Sequence, residues 1–197
     1  QTETTLAIRG LQDREAAAAM AQAMGSSAEV SSAAHLPERL AGAVGDGALG
    51  PEPATLLRLE GLPPSIEYRL ELLRKLLATA DLQVFDEDRS STIWRDVRDC
   101  IPFADGTQTP VWRVSMRPSA APAMTMELRR TTPASFFYDW QGGLIWLRME
   151  GGEPEAECLR TLVKRHGGGH ATLVRASAAA RATVSAFEPQ ASALRNL

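Results

Sequence analysis

Arg113 and Ser115 stand two apart in the alternating run VWRVSM, 111–116. In a strand both would project from one face and Trp112 from the other. A guanidinium so placed offers a planar fork to a carboxylate, or to the electron-rich edge of a flat cofactor. The competing reading is an ion pair with a surface acid such as Asp139 on a neighbouring strand. Asp139 precedes a Trp140-Gln141-Gly142-Gly143 turn, where a carboxylate ordinarily accepts turn amides. Gly142 and Gly143 are explained by positive φ or by close approach of another group. They form no phosphate loop, since the spacing and the following helix are missing. Tyr138, Trp140 and Trp146 around this turn fit a hairpin packed in a core, or one whose tip faces a flat cofactor or a substrate.

The histidines and cysteines carry weaker signals. His35 ends a strand before Pro37, a place for a hydrogen-bonded structural residue, with a catalytic role as the alternative. His166 and His170 are four apart, but Gly167-Gly168-Gly169 between them ends a helix and no third ligand is in view, so no metal is expected. In the last helical turn His166 would suit the helix dipole. Cys100 and Cys158 form neither a C-x-x-C pair nor a ligand cluster, which argues against a disulfide framework and for a reducing compartment. No Ser-His-Asp order with a nucleophile elbow is present.

A formal charge of −3 over 197 residues, with 21 scattered Lys and Arg against 24 Asp and Glu, gives no reason to expect nucleic acid as a partner. The length suffices for a substantial core in one domain or two small ones. No run of about eighteen apolar residues could span a bilayer, and the first residues lack a basic-then-apolar signal. The chain opens on the strand-like TETTLAIRG without Met and stops at ASALRNL inside a helical pattern. It reads as one domain of a longer protein.

The elements that would position these residues fall in a repeated order. Thr4–Ile8 reads as a strand, and Asp13 opens an Ala-rich helix with Met20 and Met24 toward the core. A second strand is expected at Glu29–Ala34, then a Gly- and Pro-rich insertion over Glu38–Pro53. TLLRLEGL follows as a strand, and SIEYRLELLRKLLATA as a helix capped by Ser65, with Ile66, Leu70, Leu73 and Leu77 as its apolar stripe. The strand LQVF completes βαββαβ over 1–85. Residues 86–110, with the short helix STIWRDVRDC, connect to a second set. There the order is VWRVSM (strand), SAAPAMTMELRR (helix, Pro122 in its first turn), SFFYDW and LIWLRM (strands), PEAECLRTLVKRH (helix) and HATLVRA (strand), filling 111–177. A truncated helical segment, 178–197, ends the chain. The fold class expected is α+β: duplicated ferredoxin-like units, antiparallel sheets with helices on one face, and sheets free to merge and remove an edge.

AAHLP (33–37), TLLRLEG (55–61), VWRVSMRP (111–118), DWQGGLIWL (139–147) and GGHATLVRA (168–176) occur in this order. With them, essentially the whole chain resembles the C-terminal half of the FAD-binding E subunits of bacterial glycolate oxidases, in the vanillyl-alcohol-oxidase type flavoprotein superfamily. The resemblance implies a cap domain of duplicated ferredoxin-like units over the isoalloxazine side of a flavin. FAD would be held by the subunit's own N-terminal domain and is not expected bound to this chain. The complex would oxidise glycolate to glyoxylate and pass electrons on, its partners being a catalytic flavoprotein subunit and an iron–sulfur subunit. It would be cytoplasmic, with the complex able to sit at the inner face of the cell membrane. The residues implied to face the flavin are Arg113, Ser115, Asp139, Trp140, Gly142, Gly143 and His35.

In catalytic relatives the corresponding hairpin looks like GDGNLH, whose histidines help hold a divalent metal. Here Gly142-Gly143-Leu144-Ile145-Trp146 stands in its place. An indole N–H only donates, so Trp146 cannot replace a histidine ligand. The resemblance therefore implies a degenerate substrate site, with electron transfer or assembly as the subunit's part. The rival reading from another class is a non-catalytic tandem ferredoxin-like module that binds a small molecule or organises subunits.

Overall fold

The computed structural model describes residues 2–77 and 81–188. Eight antiparallel strands form one sheet in the order β4-β1-β3-β2-β6-β7-β5-β8. The strands are β1 (Thr2–Arg9), β2 (Ser32–Leu36), β3 (Ala54–Gly61), β4 (Leu82–Phe85), β5 (Val111–Met116), β6 (Ala134–Asp139), β7 (Leu144–Met149) and β8 (Gly169–Arg175). The helices are α1 (Asp13–Met24), α2 (Pro63–Leu77), α3 (Glu87–Arg98), α4 (Ala121–Thr131), α5 (Ala156–Arg165) and α6 (Ala178–Thr183). Each set of four strands with two helices is a βαββαβ unit, and the second strands of the two units, β2 and β6, meet to make the sheet continuous. The join removes one exposed edge from each unit.

Alternation along each strand divides the sheet into two unlike faces. Leu6, Leu57, Trp112, Val114, Phe136 and Ile145 project to one face, where α1, α2, α4 and α5 lay their apolar stripes on them. That is the expected layering of two ferredoxin-like units. The other face is not bare. Ile93, Trp94 and Val97 of α3 pack there on Ala7 and Leu56, with Val44 and Leu49 of the insertion beside them. Each such side chain contributes roughly 1.5–3 kcal/mol by leaving water. A buried polar set fixes α3 over β1: the Thr5 and Ser90 hydroxyls are 2.7 Å apart, and the Trp94 indole N–H donates to Thr5 at 2.9 Å.

Several boundaries differ from the sequence reading, each for a local reason. β2 starts at Ser32, not Glu29, because Glu29 is left-handed (φ 48°) and the Ala28 and Glu29 carbonyls accept Arg69 of α2 at 2.7 and 2.6 Å. α2 begins at Pro63, which places Ser65 inside the helix and not at its cap. Prolines in a first turn lack a donor that would have no partner there anyway. α3 starts at Glu87, because Asp86 caps it by accepting the Arg89 amide at 3.0 Å. α5 begins after Glu155, itself left-handed (φ 51°), and not at Pro154. The expected last turn of the second helix, 78–80, and the C-terminal end, 189–197, lie outside the described residues. Of the expected helical segment from 178, α6 ends at Thr183, and the Leu173 amide of β8 then donates to the Ala186 carbonyl at 2.8 Å. Among the described residues no helix is long and apolar enough to cross a membrane.

Candidate functional site

Arg113 on β5 lies directly across from Trp146 on β7, and Trp146 in turn lies across from Phe137 on β6. All three point to the face that carries α3. The Arg113 side chain reaches past β7 to the hairpin tip, where its guanidinium carbon stands 5.2 Å from the centre of the Trp140 ring. A cation over an indole face at this range is held by the ring quadrupole, by about 0.5–1 kcal/mol where exposed. Arg113 makes no ion pair among the described residues; its charge acts on Asp139 without a direct contact. The expected alternative, an Arg113–Asp139 pair, is therefore replaced by stacking.

The tip is conformationally costly. Trp140, Gln141 and Gly142 take φ of 49°, 61° and 88°, three left-handed residues in succession. Two carry side chains, at about 1–2 kcal/mol each. Asp139 stabilises the turn by accepting the Trp140 amide on Oδ1 at 2.7 Å. Burial pushes the Asp139 carboxyl above the ordinary carboxylate range, while that amide and the Arg113 charge pull it back. Trp140 is left 63% exposed, although most of its neighbours in the hairpin are buried.

Arg113, Asp139, Trp140 and Trp146 form one wall of a cleft of about 520 Å3, and Trp94, Arg95 and Arg98 of α3 form the opposite wall. Arg58 of β3 also lines it. Three of its four guanidinium groups lie near carboxylates: Arg58 bonds Glu3, Arg98 bonds Asp99 at 2.8 Å, and Arg95 lies 3.8 Å from Asp96. Arg113 alone among them has no carboxylate partner.

Not every expected residue belongs to this cleft. Ser115 projects to the same face, across from Leu144 and His170, one step beyond the lining. Gly142 and Gly143 lie under the tip, near Pro118 and, for Gly142, Met20. Gly142 serves through its positive φ. Gly143 has φ −74°, so its reason is crowding: a Cβ there would stand 3.1 Å from the Trp140 carbonyl oxygen. Tyr138 points to the helix-covered face and shares a 2.7 Å hydrogen bond with Thr125.

His35 lies apart from the cleft. It is wholly buried on the helix-covered face, opposite Arg113, with Nδ1 2.9 Å from the Thr55 hydroxyl and Nε2 3.5 Å from Asp13. The sheet separates it from the cleft, so it cannot share a ligand with Arg113. His166 caps α5 and places Nε2 2.7 Å from Glu127, while His170 lies on β8. That hydrogen bond is the main reason the Glu127 carboxyl is held below its ordinary range.

Sequence reasoning missed the α3 wall. The run RSSTIWRDVR (89–98) carries Trp94 and three arginines at helical spacing. An amphipathic pattern shows that such a helix packs, but not on which face of which sheet. No protein-family model matches the chain, and no curated protein matches it.

Proposed function

We propose that this chain is the cap domain of the FAD-binding subunit of a glycolate oxidase, with its cleft-bearing face turned toward the subunit's own FAD domain. The observation that carries the reading is Arg113: a cation without a carboxylate partner, stacked by a strained, exposed Trp140 on the wall of an open cleft. Such a pair is suited to the electron-rich edge of a flat ring system. The chain's residues fit that edge and no more. The Gly-Gly turn is followed by a strand, not a helix N-terminus, and so supplies no pyrophosphate cradle. FAD would accordingly be held by the N-terminal domain, and supplies the redox chemistry when bound.

In this arrangement the residues of the cleft orient and tune; they perform no bond-breaking step. Arg113 stabilises negative charge at the face, Trp140 and Trp146 exclude water from it, and Asp139 fixes the tip. The catalytic flavoprotein subunit and the iron–sulfur subunit would complete a cytoplasmic complex, able to sit at the inner face of the membrane, that oxidises glycolate to glyoxylate.

The test is the flavin reduction potential and electron-transfer rate of the full subunit in its complex. Arg113→Ala should lower the potential and slow transfer, and Arg113→Lys should recover part of each, since lysine keeps the charge but not the planar fork. If Arg113→Ala unfolds this domain while the flavin in surviving complex behaves normally, Arg113 is structural and the reading fails.

A further inference from the structure

The cleft is built for something bulkier than a two-carbon acid. We infer that it binds a ring-bearing monocarboxylate, with the carboxylate on the Arg113 guanidinium and the ring against the Trp140 and Trp146 indoles. This goes beyond the cap reading: the acid is a ligand of the cleft itself and not the glycolate that the complex would oxidise, and the inference rests on that reading only for the placement of the flavin.

Size is the first argument. About 520 Å3 is within the usual range of small-molecule sites, and a two-carbon hydroxy acid would fill a small part of it. An acid held by Arg113 alone would leave the indoles solvated and unused.

The distribution of charge is the second. Arg58, Arg95 and Arg98 each form an ion pair with a carboxylate and Arg113 forms none among the described residues, so Arg113 is the guanidinium best placed to take one carboxylate. The Asp139 carboxyl on the same wall opposes a second negative group on the ligand. A monoanion satisfies both.

The third is geometric. Trp146 is the cross-strand partner of Arg113, and Trp140 is stacked against the same guanidinium at 5.2 Å. Two indoles therefore flank this guanidinium. Cross-strand neighbours on one face lie within contact range, so a carboxylate on Arg113 brings its attached ring onto one indole or both. The exposed Trp140, in a backbone that disfavours any side chain there, gains burial from such a ring.

The experiment is calorimetric titration of the 197-residue chain itself, without flavin, with 2-naphthoate, its neutral isostere 2-naphthamide, and glycolate. Expected is one-to-one binding of naphthoate, about tenfold or more tighter than either naphthamide or glycolate. Arg113→Ala should erase the preference for naphthoate over the amide, and Arg113→Lys should retain part of it. Trp140→Ala should weaken naphthoate by a larger factor than it weakens glycolate. Equal affinity for glycolate and naphthoate, naphthoate binding indifferent to both substitutions, or no binding of naphthoate at millimolar concentration would each overturn the inference. Because no flavin is present, failure here leaves the flavin-potential test standing, and failure there leaves this binding measurable.

Discussion

His35 and Tyr138 are in β-register across the join of the two βαββαβ units, their ring centres 5.9 Å apart. Among the described residues no other Cα pair of β2 and β6 is in register. The seam is therefore carried less by ladder hydrogen bonds than by side chains. Tyr138 donates to or accepts from Thr125 of α4, His35 meets Thr55 of β3, and Asp13 of α1 stands 3.5 Å from His35 and 3.8 Å from Arg129. Residues of both units meet in one cluster, buried at His35, Thr55, Thr125 and Tyr138 and open to solvent at Arg129.

Truncating that cluster should cost more than trimming it. Tyr138→Phe removes one hydroxyl, and Thr125 keeps its bond to the Ala121 carbonyl at 3.1 Å, so a loss of about 0.5–1.5 kcal/mol is expected. Tyr138→Ala also empties a fully packed site and should cost about 3–5 kcal/mol. Urea unfolding followed by tryptophan emission measures both. A loss below about 1 kcal/mol for the alanine variant would mean that Tyr138 does not hold the seam.

Gly169 should tolerate no side chain. It opens β8, and a Cβ there would stand 2.3 Å from the Ser115 carbonyl oxygen, inside the β5–β8 ladder. Gly169→Ala is expected to destabilise by about 1–3 kcal/mol or more, as overpacking does. Gly151→Ala, where a Cβ meets nothing within 4 Å, should stay within about 0.5 kcal/mol. Parallel thermal melts of the two variants decide it.

Asp139 and Glu127 should give opposite pH signatures. Burial raises the Asp139 carboxyl in the fold. The native state therefore holds its proton to higher pH than the unfolded chain, and stability falls as pH rises from about 3.9 to the raised value. Asp139→Asn should remove that decline. Glu127 is held low, first by its hydrogen bond to His166. Its contribution is present above the unfolded carboxylate value and lost as pH falls through the folded one, and Glu127→Gln should remove that acid-side loss. Stability measured from pH 3 to 7, variant against parent, reads both signs. The same slope for the two residues would contradict the assignment.

Cys100 should be the inert thiol. Burial pushes it up to about 12, so almost none is thiolate near neutrality. Cys158 is raised by burial too, but is less enclosed. With a disulfide reagent at pH 8 on the native chain, Cys158→Ser should abolish the faster phase and Cys100→Ser should leave it. The reverse assignment would show that α3 and the turn after it open more readily than α5.

The repeated βαββαβ order was legible because alternation and helical spacing are local signals, and each half states them separately. The shared face of Arg113 and Ser115 was legible for the same reason. What was not legible depends on packing over long sequence distance. The carbonyls that shorten β2 accept from Arg69, forty residues on. His35 looks like a neighbour of the hairpin, and is one through Tyr138, but the join of β2 to β6 and the docking of α1 put it on the side away from the cleft. The second wall of the cleft comes from α3, a helix in the connecting segment, whose docking nothing in its own residues specifies.

A duplicated fold ordinarily presents everything twice. Here the insertion between β2 and β3 and the first turns of α3 occupy the outer face of the first unit, with Val44, Leu49 and Ile93 filling it. The corresponding surface of the second unit is covered only in part, where Phe103 packs on Phe137 and Val111, and the cleft opens beside it. Saturation should therefore come at one equivalent per chain.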